Sequence, residues 1–226
     1  MGADVVKIEG PAGDTTRYTG PKRSNDMSAL FMGLNRNKRS IVLDLKQQAA
    51  KDVLWRLIDT ADVFLHSIRP QAIDRLGFGH EAVLARNERV VSAGVHGFRM
   101  DGPYSGRPAY DDVIQGLSGS ADLMARLVGE PRYMPTIMAD KTTGLVTVNA
   151  ILAALLEREK SGKGQFVEIP MFEVMTAFNM ADHIFGHAFD PPEGPMGYSR
   201  VLTPSRRPYK TLDAVSYTHL TLPTKA

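Results

Sequence analysis

The sequence predicts an α/β fold in which helices wind a parallel sheet on both faces. Three observations carry that prediction. Short apolar segments of strand length recur between Val5 and Val95, rich in Val and Ile. Segments with apolar residues at three- and four-residue spacing, the helical period, separate them. Gly, Pro and Asn cluster at the junctions, where turns need them. Such strand–helix alternation builds doubly wound parallel sheets, which bind ligands beyond the carboxyl ends of their strands.

In order, Val5, Val6 and Ile8 form a buried first strand that calls for neighbours on both edges. A Gly-, Pro- and Thr-rich loop runs from Gly10 to Lys22. Met27–Gly33 is apolar enough for a short packed helix, and Asn35–Arg39 is a basic turn. Ser40–Asp44 is the second strand. Gln47–Thr60 is a helix with Val53, Leu54, Leu57 and Ile58 inward. Asp62–His66 is the third strand, and short helices follow at Pro70–Leu76 and His80–Arg86. Val90–Val95 is the fourth strand. After a Gly/Pro/Tyr-rich loop, one helix is predicted over Asp111–Ala125 with Val113, Leu117 and Leu123 inward. Lys141–Ser161 is the longest helix, with Leu145, Val148, Leu152 and Leu155 as its apolar seam, a polar last turn and Gly162 as its stop. Gln165–Ile169 reads as a strand and Met171–His187 as a Met- and Phe-rich helix.

Composition narrows the function. The 226 residues are 43% hydrophobic and 23% charged, typical of a globular protein with a real core. A net charge of +2, from 27 basic and 25 acidic residues, argues against nucleic acid or an anionic membrane surface as partner. The absence of cysteine excludes a disulfide framework, a Cys-based zinc site and a thiol nucleophile, and is compatible with the cytoplasm. No apolar run approaches the roughly 20 residues of a membrane span.

Generic motifs give little. No Gly-x-Gly-x-x-Gly follows a strand, and there is no P-loop or Gly-x-Ser-x-Gly elbow. His183 and His187 are four apart on a predicted helix but lack a third metal ligand. Asp111-Asp112 reads as a cap beside a solvated carboxylate rather than a catalytic dyad. The basic run Arg36–Arg39 reads as a solvated turn, although a phosphate-bearing ligand would suit it. Asp140 stands where the Pro-containing loop Met134–Ala139 turns into the longest helix. There the helix dipole favours a negative charge by roughly 0.3–1 kcal/mol. By position alone it is an N-cap.

The blocks taken together say more. They are Gly2–Glu9 with Gly13, Asp14 and Arg17; Asn35–Ser40; Arg107–Asp111; Ala139, Asp140 and Gly144; and Ala153–Gln165. Their order and spacing resemble the class III CoA-transferase family, which includes formyl-CoA transferase, carnitine CoA-transferase and the 2-methylacyl-CoA racemases. The resemblance implies a Rossmann-like large domain over residues 1–188, incomplete at its start. It implies a linker at 189–206 and, at 207–213, the start of a small domain otherwise missing. Residues 214–226, dominated by Thr and Leu, read as a non-native tail.

The resemblance further implies that Asp140 is the nucleophile of a CoA-transferase working through acyl-aspartyl and aspartyl-CoA intermediates. Tyr110 matches a substrate-pocket residue. Leu43, Lys46, Ser67, Ile68, Arg75 and Leu76 match CoA-binding positions. Pro108 replaces a lysine of formyl-CoA transferase, which speaks against a formyl/oxalate substrate pair. No metal and no tightly bound cofactor is implied; coenzyme A is a co-substrate. The partners are an acyl-CoA, a small carboxylic acid and, in the full-length protein, a second subunit in an interlocked homodimer. Racemization is the alternative activity. It needs two bases, and the racemases' His-Asp dipeptide is here Tyr110-Asp111, a weak proton shuttle because a tyrosine titrates near pH 10. An inactive fragment is the third reading.

Overall fold

The computed structural model describes residues 2–210 and 216–217. β1 (Val5–Glu9) leads through one 3-10 turn, Thr15–Tyr18, into a small antiparallel ribbon, β2 (Lys22–Ser24) with β3 (Met27–Ser28), and then α1 (Ala29–Leu34). The predicted helix from Met27 thus begins two residues later, because Ser28 caps it: its hydroxyl accepts from the Phe31 N–H at 3.1 Å. β4 (Lys38–Val42) pairs in parallel with β1, Lys7 opposite Ser40.

α2 (Gln48–Ile58), β5 (Val63–His66), α3 (Pro70–Leu76), α4 (His80–Arg86) and β6 (Val91–His96) follow as the periodicity predicts. Pro70 at the first helical position and Gly77 in the left-handed region (φ 92°) fix the ends of α3. One helix was predicted from Asp111, but two form, α5 (Asp111–Leu117) and α6 (Ser120–Val128). Gly119, at φ 87°, breaks them. Val113 and Leu117 face outward, and α5 instead buries Asp111, Ile114 and Gln115.

α7 spans Met138–Ser161, and β7 (Gln165–Pro170) and α8 (Met171–His183) follow. β5, β6 and β7 form a parallel sheet with β6 in the middle. Five of the six residues of β6 are buried, so helices must cover both of its faces; α4 and α7 pack against it. Gly164 admits no side chain at the approach to β7, since a Cβ there would collide with the main-chain carbonyl of Val90. The parallel strands thus fall into two hydrogen-bonded groups, β1–β4 and β5–β6–β7, both part of one α/β fold. One apolar core joins them, built on Leu43, Leu54, Ile58, Ile73, Phe78, Val83 and Val90. Among the described residues β1 has a partner on one edge only, and Val5 and Val6 are exposed rather than buried.

The seam of α7 also differs from the sequence reading. Its buried residues are Ala139, Thr143, Thr147, Ala154 and Arg158, while Leu145, Leu152 and Leu156 face outward. Small residues let the helix approach α5, α8 and β7 closely. By length and composition α7 could cross a membrane, but here it packs against two strands and two helices. Arg158 was read as part of a polar last turn. It is buried and donates to the carbonyls of Arg89 (3.2 Å) and Asp62 (3.5 Å), just ahead of β6 and β5, and pairs with the Asp62 carboxylate at 3.0 Å.

The end of α8 holds the following segment. His183 accepts at Nδ1 from the Tyr198 N–H (3.2 Å), Gly197 donates to the His183 carbonyl (2.8 Å), and Arg126 donates to the Met196 carbonyl (3.0 Å). α8 stops at His183, and His187 lies in a separate 3-10 turn, Phe185–Ala188. The two histidines therefore do not share a helix face. β8 (Tyr209–Lys210) and β9 (Ser216–Tyr217) pair in an antiparallel ribbon. The rest of segment 214–226 lies outside the described residues.

One buried ion pair ties the first loop to the sheet. Glu9 accepts from Arg17 at both oxygens (2.7 and 2.8 Å), from Ser40 and from the Asp14 N–H (2.9 Å). The Arg17 hydrogen bonds, against the cost of burial, hold the Glu9 carboxyl at about 2, below its ordinary 4.5. Burial opposes the ionised Asp14 too, but Lys7 and Thr16 hold it at about 2. Both pKa values are depressed in the fold, so their stabilisation is complete above about pH 4.5 and is lost as pH falls toward 2. Thermal melts between pH 7 and pH 2.5 should show this loss, on the order of 2–3 kcal/mol for Glu9. Glu9→Gln should melt lower at pH 7 and lose less on acidification.

Candidate active site

The site is built at the junction of two helix starts. The loop 134–137 enters α7 without a side-chain cap of its own, so first-turn N–H groups need acceptors from elsewhere. Asp111, the first residue of α5, supplies one: its Oδ1 accepts from the Asp140 N–H at 3.1 Å. Its Oδ2 accepts from the Gln115 amide at 2.6 Å, one turn further along α5. Gln115 in turn accepts from the Met134 N–H (2.8 Å) and donates to the Thr136 carbonyl (3.4 Å). Asp111 and Gln115 are both buried. A carboxylate–amide pair on α5 thus fixes the loop and the first turn of α7.

Asp140 is the third residue of α7, not its N-cap. Its main chain is held and its carboxylate makes no hydrogen bond among the described residues. The residue is exposed. The helix dipole favours its charge, yet its carboxyl is pushed above the ordinary carboxylate value, first by desolvation and then by the Asp111 charge. Desolvation and the Asp111 charge thus work against the helix start, which favours the ionised form. The exposure limits how far the shift goes. A carboxylate with a fixed backbone, free oxygens and weak solvation has raised nucleophilicity.

Tyr110 immediately precedes Asp111, with extended backbone and its side chain 75% exposed. It stands beside the Asp111–Asp140 junction and faces solvent. Behind the junction lies a second apolar core of Phe98, Ile114, Ala139 and Met175, which locks α5, α7 and α8 together.

The other six predicted residues gather elsewhere. Leu43 directly follows β4; its side chain is in the main core and its N–H donates to the Glu9 carbonyl at 2.8 Å. Lys46 is exposed in the same turn and has no ion-pair partner among the described residues. Ser67, exposed, and Ile68, half-buried, follow β5. Arg75 is exposed and Leu76 half-buried at the end of α3. Ile68 and Leu76 pack against the core that contains Leu43, so these three pairs share one underlying cluster beyond the strand ends. The structure brings this set together, and it brings Asp140, Asp111 and Tyr110 together. The two sets rest on different cores.

Sequence reasoning missed two features. Asp111 is a cap, but for a helix 29 residues away rather than its own; the Asp-x-x-x-Gln spacing on α5 was the available signal. His66 and His96 end neighbouring strands with their rings 5.8 Å apart and without hydrogen-bond partners at three of their four ring nitrogens. Burial, then the His96 charge, lowers His66 to about 4. Burial also lowers His96, against the opposing pull of Glu168 at 3.6 Å. Both shifts favour the neutral ring. Among the described residues, no three His, Cys, Asp or Glu side chains group to hold a metal ion.

Known proteins are similar to this chain. The family model for CoA-transferase family III matches residues 1–224. The succinate–glutarate CoA-transferase of Agrobacterium fabrum is 35% identical over 184 residues, covering 78% of this chain and 46% of that protein. The formyl-CoA:oxalate CoA-transferase of Streptomyces avermitilis is 40% identical over 171 residues, 76% of this chain and 42% of that protein. A CaiB/BaiF family protein from Brucella suis superposes with a TM-score of 0.79 at 34% identity, covering 88% of this chain and 53% of that one. The chain spans about half the length of the relatives it matches. It belongs to CoA-transferase family III.

Proposed function

We propose that the protein transfers coenzyme A from an acyl-CoA thioester to a small carboxylic acid, with Asp140 as the nucleophile. The observation that carries this reading is the state of Asp140: backbone pinned by Asp111, carboxylate free, charge partly desolvated. The relatives named as CoA-transferases for succinate and glutarate, or for formate and oxalate, support the reaction class.

In the first step a carboxylate oxygen of Asp140 attacks the thioester carbonyl. The C–S bond breaks, giving an acyl-aspartyl anhydride and CoA thiolate. The thiolate then attacks the aspartyl carbonyl, releasing the first acid as its carboxylate and leaving an aspartyl-CoA thioester. The acceptor carboxylate repeats the sequence in reverse and leaves with CoA, restoring Asp140. Desolvation raises the energy of the attacking carboxylate, while the positive end of the α7 dipole favours the developing oxyanion. Lys46 and Arg75, two exposed cations beyond the strand ends, suit the phosphates of CoA. Ser67 and Ile68 line its path, and Leu43 and Leu76 support them from below. Tyr110 suits a role at the acid's side of the pocket. In the full-length protein the pocket is completed in a cytoplasmic homodimer.

Trapping tests the route. Protein incubated with acyl-CoA and then hydroxylamine should carry a hydroxamate on Asp140, seen as a mass change in the peptide containing it. An unmodified Asp140 under conditions of active exchange would overturn the covalent mechanism. Racemization, the alternative, would instead place solvent deuterium at the carbon next to the thioester.

A further inference from the structure

The basic turn between α1 and β4 is not used by that chemistry, and it borders a cavity. The cavity, about 320 Å³, is lined by Lys7, Arg17, Arg36 and Lys38 with Phe31 and Met32 on its apolar side, and no carboxylate lines it. Lys7 and Ser40 stand opposite each other in the parallel pair, so their side chains leave the same face of β1–β4 and both reach the cavity. Lys38 is the first residue of β4, and Leu43 comes after the last. At about 3.3 Å per residue, the turn stands about 17 Å along the strand from the loop that holds Leu43 and Lys46. It lies toward the amino ends of the strands, away from the ends where the CoA set gathers.

The cations are not equivalent. Arg17 is taken up by Glu9 and its guanidinium carbon sits over the Phe31 ring, 3.9 Å from its centre. Lys7 is bridged to Asp14. Arg39, the second residue of β4, pairs with Asp4 at 2.6 Å and does not line the cavity. Arg36 and Lys38 have no carboxylate partner among the described residues; the Lys38 ammonium donates to Asn35 Oδ1, at 3.2 Å. Two uncompensated positive charges beside an aromatic ring ask for a compact dianion joined to an apolar group. A phosphate monoester carries roughly −1.5 to −2 charges at pH 7, more than a single carboxylate supplies.

We propose that this cavity binds an organic phosphate, its phosphate between Arg36 and Lys38 and its apolar part against Phe31 and Met32. The site is separate from the one assigned to coenzyme A and does not depend on that assignment. Calorimetric titration of the full chain at low salt with phenyl phosphate tests it. Binding should be saturable, tighter than that of inorganic phosphate, and undisturbed by excess CoA. The pair Arg36→Gln with Lys38→Gln, both on the surface, should weaken it at least about tenfold while circular dichroism stays unchanged. Three results would overturn the proposal. They are no binding to the folded protein, displacement by CoA, or inorganic phosphate binding as tightly as phenyl phosphate. Should the double variant lose its fold, Met32→Asp decides: it must weaken phenyl phosphate more than inorganic phosphate, and equal effects would sink the site.

Discussion

Asp140→Asn should lower CoA exchange between an acyl-CoA and a free acid by at least about 10³-fold. An amide keeps the size and the main-chain hydrogen bond to Asp111, but its oxygen is a poor nucleophile and cannot form the anhydride. The fold should be retained and slightly stabilised at neutral pH. The carboxyl of Asp140 is raised above its ordinary value in the folded state, so its ionisation costs stability as pH rises through that value. Removing the charge removes the cost. Activity measured by chromatography of the two CoA esters, alongside thermal melts at pH 7, separates the effects. Full exchange in the variant would remove Asp140 from the mechanism.

Asp111→Ala should cost about 3–4 kcal/mol of stability. The substitution strips acceptors from two groups at once, the Asp140 N–H and the Gln115 amide, and Gln115 itself holds Met134 and Thr136. A carboxylate with two buried hydrogen bonds is worth more than a neutral acceptor. Asp111→Asn tests the charge separately. It can keep one acceptor oxygen, so it should recover most of the stability while lowering the pKa of Asp140 toward its ordinary value, since one cause of the raised value is gone. A pH–rate profile whose acid limb moves to lower pH in Asp111→Asn would show the coupling. An unmoved limb would confine Asp111 to capping.

The legible parts of this chain were those fixed by local chemistry. α3 was readable to its ends because Pro70 and Gly77 act within one turn. β6 was readable because five of its six positions are buried, giving an apolar run that needs no partner to be recognised. Asp140 was readable as a helix-start carboxylate, and its proposed role rests on the resemblance of several blocks. What depended on distant contacts was not readable. The inner face of α7 follows from how closely β7, α5 and α8 approach it, which selects Thr143, Thr147 and Ala154 over leucines. Of the predicted seam, Leu145 and Leu152 faced outward and Val148 and Leu155 were half-buried. The break at Gly119 was hidden because apolar periodicity continues through it. Asp111 as a cap for α7 required a contact across 29 positions, and no local rule reports that.

α7 can finally be considered as a beam. It is 24 residues long, or about 36 Å, and a charged side chain grips it at each end. Arg158 fastens one end to the carbonyls ahead of β5 and β6, and Asp111 fastens the other beside Asp140. A rod clamped at both ends resists sliding and rotation about its axis together. The Asp140 carboxylate is therefore referenced to the sheet through the whole length of the helix. Loosening the far clamp, through Arg158→Met, would let the near end drift in register although the change lies about 27 Å from Asp140, by the rise of about 1.5 Å per residue.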